Sequence, residues 1–410
     1  MTALRKNATL ASVEPASADP DWAALRRRYP AALDRTYANI GSRGLISIAS
    51  HAAGQAALDA DLAMRESAPP VAQQAEEARA LFARIIGAAA DEIAITKNVS
   101  EGLNAIATAI DWQDGDEVVL ASEIEHANNV YLWHRLAQRG VTVRDVPAPL
   151  GVLDAAAMIA AIGPRTRLVT LASVSFTPGL RYDVAAIAAA AHRHGALVLV
   201  DGVQSCGVLE TNVRALGIDA LATSASKGLL GIRGSGFLYV AKGCLDRLVP
   251  MHVARTSMEV RGHYSAFEGV DVPLRPDARR FEVGSYNYVG IAVVRASMGE
   301  LLDLGIDRIE TRAKSIAASL REGLAAQGHH VVMPRTPAEA SHLVTIGRRG
   351  NGGADSTGDP KLDALSHALT AANVVHTIRR CQLRFGFHFY NDESDVAAIL
   401  AVAARHPTQG

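Results

Sequence analysis

The run ALVLVDG, from Ala196 to Gly202, is the segment that most narrows the possible folds. It is apolar without alternation until it ends on an acid, Asp201. Such a strand must be covered on both faces, as in parallel sheets flanked by helices. The neighbouring sequence agrees. DEVVLAS (116–122), VTVRDVP (141–147) and RLVTLASVS (167–175) precede it as β-rich runs, and DALATSA (219–225) and GSGFLYVA (234–241) follow. Helical segments lie between them: HRLAQRG, Asp154 to Ile162, and Asp183 to His194, the last stopped by Gly195. This alternation predicts an α/β domain with a largely parallel, covered sheet.

The rest of the chain has a different character. EEARALFARIIG (76–87) has helical spacing and a glycine stop. Two long helices are expected over 291–305 and 306–328. A strand over 342–347, a Gly-rich loop over 349–360, a helix over 361–372, a strand over 375–389 and a helix over 395–405 complete the pattern. The expected division is a disordered tail over 1–20, a large domain over 21–290 and a small α+β domain over 291–410. Roughly the first 40 residues are free to pack with the small domain.

Composition excludes several functions. Lys+Arg total 41 and Asp+Glu 42, so no basic footprint points to nucleic acid or an acidic membrane. No stretch is long and apolar enough to span a bilayer, and the N-terminus lacks a signal-peptide core. A cytoplasmic protein without membrane or nucleic-acid partners is expected. Cys206, Cys244 and Cys381 form no CxxC pair, which suits a reducing compartment. His192 and His194 fall on different helix faces, and no metal site is expected.

The chemistry concentrates between Val200 and Val240. Asp201 sits at the C-terminal end of a buried strand, where open α/β sheets bind ligands. Gln204 follows three residues later. Lys227 lies among Ser224, Ala225, Ser226 and Gly228, so close to an apolar core that burial would depress its pKa and make it nucleophilic. Read singly, Asp201 is equally a turn residue, Lys227 a surface lysine, and Arg384 a core-edge arginine paired to Asp392. The glycines 228, 231, 234 and 236 precede a strand rather than open a helix, so they make no dinucleotide fingerprint.

Together these residues resemble the lysine region of the class-V aminotransferase family, the fold-type-I pyridoxal phosphate (PLP) enzymes that include cysteine desulfurases and isopenicillin epimerase-like proteins. The resemblance runs from about Tyr37 to Arg405. It implies a fold-type-I α/β architecture with a mainly parallel seven-stranded sheet and a homodimer with shared active sites. By the same resemblance Lys227 holds PLP, Asp201 pairs with the pyridine nitrogen, Gln204 bonds the phenolic oxygen, and His126 in EIEHANNVYLW stacks on the ring. Val99 and Ser100 in KNVSEGLN, with Ser224 and Ser226, surround the phosphate, and Ser285 in RRFEVGSYN reaches the partner's phosphate. Arg384 in RRCQLRFGFHFYNDESD binds the substrate carboxylate. Arg43, Phe176, Arg255 and Arg261 are further pocket candidates, and either of the last two would imply a second acidic group on the substrate.

The sequence departs from the family pattern at four points. Ser226 stands where the family has His, Phe176 where desulfurases have Asn, and Tyr286 where Pro is usual. No cysteine occurs over 348–380, where desulfurases carry a mobile nucleophile, and Cys381 is expected on the strand itself. The resemblance implies an enzyme acting on an amino acid through an external aldimine and an α-carbanion, with transamination expected first. A β-eliminating C–S lyase, desulfurase-like without its loop cysteine, and an epimerase are the alternatives. A non-catalytic scaffold and a dinucleotide-binding enzyme are readings from other classes.

Overall fold

The computed structural model describes residues 20–262, 269–350 and 355–408. The tail expected over 1–20 lies outside them except for Pro20. A short strand, β1 (Thr36–Tyr37), precedes the main sheet, which contains β2 (Ile93–Thr96), β3 (Glu117–Leu120), β4 (Thr142–Asp145), β5 (Thr166–Ala172), β6 (Leu197–Asp201), β7 (Ala220–Ser224) and β8 (Gly236–Val240). Their order is β2-β8-β7-β6-β5-β3-β4. All pairings are parallel except those of β8, which runs antiparallel to β2 and β7. The expected seven-stranded, mainly parallel sheet is therefore present.

Strand β6 shows why. Val198 and Val200 belong to the core on one face of the sheet, Leu197 and Leu199 to the core on the other. Side chains alternate across a strand, so two covered faces require apolar residues at every position. Local signals set the helix ends. Asn98 caps the 99–109 helix by accepting from Glu101 N–H at 3.0 Å, Asp183 caps the 184–193 helix through Ala186 N–H, and Gly87 ends the 71–86 helix at φ 69°. β2, in DEIAIT, escaped the sequence reading because it is only four residues long and the turn at Ala90–Glu92 runs into it with no Gly or Pro between.

A second sheet holds β9 (Leu343–Ile346), β11 (Thr377–Arg379) and β12 (Gln382–Gly386), in the order β11-β12-β9, while β10 (Val374–Val375) pairs in parallel with β1. The chain's first segment also packs here. Tyr29 lies 5.4 Å from Phe389 and 5.1 Å from Tyr390, and Arg26 pairs with Asp395 at 2.6 Å. The 288–304 helix instead packs against the 48–62 and 71–86 helices.

The single strand expected over 375–389 is corrected to a hairpin. Arg380 (φ 48°) and Cys381 (φ 65°) form its turn, between the paired Arg379 and Gln382. Two consecutive left-handed residues match the twist of a two-residue hairpin, but such turns favour Asn and Gly, and Arg-Cys gives no such signal. Cys381 therefore lies in a turn, not on a strand. Among the described residues, no helix is long and apolar enough to cross a membrane.

Candidate active site

The parallel strands β5, β6 and β7 end side by side. Ala172 is in register with Asp201, and Asp201 with Ala222. A cavity of about 300 Å³ opens beyond these ends, at the N-terminus of the 99–109 helix. Its walls bring together Val99, Ser100, His126, Phe176, Asp201, Gln204, Ser224, Ser226 and Lys227, residues scattered over 129 positions (from 99 to 227).

Asp201 is buried, and its Oδ1 accepts from Val203 N–H at 2.9 Å. Burial raises its pKa, while Val203 N–H and the Lys227 amine pull it back down. The Lys227 amine has no hydrogen-bond or ion-pair partner among the described residues. Burial pushes its pKa down to about 8, with Arg384 adding to the fall, Asp201 opposing it and Arg379 adding slightly. At pH 7 about a tenth of such amines are neutral within reach of the cavity, against fewer than about one in a thousand for an ordinary lysine.

The loop carrying Lys227 is clamped by distant parts of the chain. Gly44 N–H donates to Ser226 O at 2.8 Å, so close that a Cβ on Gly44 would lie 2.4 Å from Lys227 O. On the other side, buried His388 donates from Nε2 to Gly228 O at 3.1 Å. Burial holds this imidazole neutral, with its pKa down to about 4, which suits the donor role.

The opposite wall is the helix end. Val99 N–H donates to Ser224 Oγ at 2.9 Å, and Asn128 Nδ2 donates to Ser100 Oγ at 2.7 Å. His126 Nδ1 accepts from Asn128 N–H at 3.2 Å, which places the ring proton of the neutral imidazole on Nε2. Burial, the Lys227 amine and nearby arginines lower the His126 pKa. Its ring meets Phe176 edge-on at 4.9 Å. Gln204 Nε2 donates to Gly41 O at 2.9 Å, leaving its buried Oε1 without a partner.

Arg384 lies just behind Phe176. It is 1% exposed, donates to Phe176 O at 2.5 Å and to Ser42 Oγ at 3.2 Å, and holds its guanidinium 5.0 Å from the Phe176 ring centre. Gly41 makes room for it, since a Cβ there would meet Arg384 Cζ at 3.1 Å. No carboxylate pairs with Arg384 among the described residues; the suggested partner Asp392 pairs instead with Arg26.

Other candidates lie elsewhere. Arg43 is exposed, and Arg255 and Arg261 belong to the segment around 255–262; none of the three lines the cavity. Arg255 is occupied with Gly262 O at 2.9 Å. Spacing alone could not exclude them. Ser285 is exposed in a separate groove beside Lys97 and Glu101. No cysteine lines the cavity: Cys206 and Cys244 are buried, with burial pushing each thiol up to about 12, and Cys381 faces another cavity beside Gly350 and Asp359.

The sequence reading missed Ser42, Asn128 and Glu125. Asn128 lay in plain view beside His126. Glu125 is fully buried, accepts from Ala172 N–H at 2.6 Å and from Asn129 Nδ2 at 2.9 Å, and its pKa is pushed up to about 8 by burial and by Asp201.

Residues 63–399 match the family model of class-V aminotransferases. The chain belongs to that family. The resemblance read from the sequence is thus confirmed. A probable cysteine desulfurase of Methanothermobacter thermautotrophicus is 38% identical over 247 residues, 60% of this chain and 60% of that protein, so this chain matches less than two thirds of that relative. An uncharacterized aminotransferase of Bacillus subtilis is 29% identical over 81% of this chain and 84% of its own. Among solved structures, a cystine C–S lyase in complex with its product cysteine persulfide superposes with a TM-score of 0.80, at 25% identity, over 92% of this chain and 99% of the lyase. A mutant of that lyase has been solved with glycine covalently linked to its PLP cofactor. The fold is that of fold-type-I PLP-dependent enzymes.

Proposed function

We propose that this class-V protein is a PLP-dependent aminotransferase acting on an amino acid, with Lys227 as the group that moves the α-proton. The observation that carries this reading is the unpartnered Lys227 amine in the same cavity as the buried Asp201 carboxylate. The residues present fit the cofactor. Asp201 has one backbone donor and offers its remaining oxygen to a ring N–H. The orphaned Gln204 Oε1 awaits a polar group. The helix start at Val99 and Ser100 favours an anion through its dipole, with the Ser224 hydroxyl held beside it by Val99 N–H. His126 and Phe176, set edge-to-face, supply an aromatic wall.

PLP, when bound, supplies an electron-withdrawing ring that stabilises negative charge at the substrate α-carbon. Lys227 takes the proton from that carbon in its neutral form, which its lowered pKa makes available near neutral pH. Asp201, as the carboxylate, would hold a protonated ring nitrogen of the bound cofactor. Arg384 grips the substrate carboxylate through its planar fork and so orients the α-hydrogen toward Lys227. Lys227, once protonated, would also be the acid that returns a proton, so the reaction would need no further acid.

The wall favours this outcome. Beside Phe176 the cavity presents the apolar Ala172 and Val174, which leaves His126 and Lys227 as its basic proton carriers. Elimination is the second reading, limited to leaving groups stable as sulfur anions, and the likeness to a cystine C–S lyase favours it. Persulfide formation on the enzyme needs a reachable thiolate, and none lines the cavity.

Absorbance spectroscopy tests the reading. The purified protein with PLP should be yellow, bleach with an amino acid and recover with a keto acid. Release of pyruvate and sulfide without bleaching would replace transamination by elimination, and absence of a cofactor band would refute both. The reading also assigns a second copy of this chain as partner. Exposed Val249, Met251 and Val253 flank the groove walls near Lys97, next to the groove holding Ser285, and support that surface being covered. Sedimentation equilibrium should give a dimer; a monomer at micromolar concentration would remove Ser285 from any shared site.

A further inference from the structure

Two arginines, not one, converge behind Phe176. Arg379 on β11 and Arg384 on β12 point to the same face of the hairpin, because Arg379 pairs with Gln382 and Arg384 with Thr377. Diagonal neighbours of this kind have backbones roughly 7–8 Å apart, within reach for long side chains. Both guanidiniums donate to one hydroxyl, Ser42 Oγ, Arg379 at 3.3 Å and Arg384 at 3.2 Å. Both lie over the Phe176 ring, at 5.9 and 5.0 Å. Among the described residues the other hydrogen-bond partner of Arg379 is its neighbour's carbonyl, Ile378 O, at 2.7 Å.

No acid balances them. Among the described residues neither arginine has a carboxylate partner. The adjacent Arg380 is different: it donates to two backbone carbonyls, Glu123 O at 2.6 Å and Glu125 O at 3.0 Å, and the carboxylates of the same two residues offset its charge. Two like charges sharing one neutral acceptor on a half-dry wall are unfavourable in the empty protein. One substrate carboxylate can neutralise one guanidinium bidentately, which leaves the second cation over the same ring.

We propose that Arg379 is a specificity-determining residue that binds a second anionic group on the substrate, so that this enzyme takes an amino acid whose side chain ends in a carboxylate or a comparable anion. This rests on the amino-acid reading above, with Arg384 taking the α-carboxylate. The second arginine anticipated at Arg255 or Arg261 is supplied instead by the hairpin, one strand away from Arg384.

Binding of unreactive acids tests this without turnover. Succinate and butyrate share a four-carbon chain and differ in the second carboxylate. Their dissociation constants would be measured by calorimetry at equal ionic strength, on the PLP-loaded protein and on the cofactor-free protein. The wild type should prefer succinate by about tenfold or more, the scale of one charge-assisted contact. Arg379→Met should bring the two acids to within about twofold, and Arg379→Lys, which keeps the charge but loses the fork, should keep part of the preference. A wild type that binds both acids equally, or an Arg379→Met protein that keeps the full preference, overturns the proposal. Failure of the PLP reading shows separately, as a missing cofactor band, while the acid preference is still measured on the same sample.

Discussion

Replacing Lys227 with methionine will abolish turnover and, at the same time, stabilise the cofactor-free protein at neutral pH. The first effect follows from the loss of the only amine in the cavity wall, with a fall of about 10⁴-fold in rate for a lost general base alone. The second follows from the site's electrostatics. Burial, Arg384 and Arg379 push the Lys227 amine from its ordinary 10.5 down to about 8 against the pull of Asp201. A folded-state pKa below the unfolded value means that the unfolded chain binds more protons between about 8 and 10.5. Stability therefore rises as pH rises through that window, and the penalty is present in full below it. Its size is on the order of 3 kcal/mol. Methionine keeps the chain's bulk and removes the charge, so no large cavity offsets the gain. Denaturant unfolding of both cofactor-free proteins at pH 7 and pH 10 checks this. The variant's advantage should shrink at the higher pH, and a gap independent of pH would refute the account.

That pairing of lost activity with gained stability explains what was legible in the sequence. The sheet was readable because a doubly covered strand needs apolar residues at every position, as β6 has. Asp201, Gln204 and Lys227 were readable because strand ends and the residues after them are fixed in chain order by the topology. The structure places these three in one cavity with His126, Val99 and Ser100. The clamps on the lysine loop were not readable. Gly44 and His388 meet it across 183 and 160 positions respectively (44 to 227 and 228 to 388), and neither contact leaves a local pattern. The hairpin at Arg380 and Cys381 was hidden because its left-handed turn uses side chains that rarely adopt it. That one misread turn also concealed Arg379. On a continuous strand, five positions from Arg384, it would have faced the opposite side; folded back, it shares Arg384's face.

Arg384→Met should separate substrate binding from folding even more sharply. The guanidinium is nearly inaccessible, and burial together with Arg379 pushes its pKa down to about 9, which leaves it charged at neutral pH. Its folded pKa lies below its unfolded one, so the cost is complete at every pH below about 9 and eases only above it. An unpaired buried cation opposes folding, and an apolar chain of similar length relieves it by about 1–4 kcal/mol. The loss of the donors to Phe176 O and Ser42 Oγ returns about 1 kcal/mol of that. The net expectation is a variant at least as stable as the wild type by denaturant unfolding. Its kcat/KM for an amino acid should nevertheless fall by about 10²–10³-fold, the value of a lost bidentate carboxylate contact. The matching amine without the carboxylate gives the control, because its kcat/KM should change far less. A variant that is strongly destabilised and equally slow on both would mean that Arg384 serves to hold the hairpin against Phe176. A variant that is stable and slow only on the amino acid would mean that the fold tolerates this cation for the sake of the substrate that neutralises it.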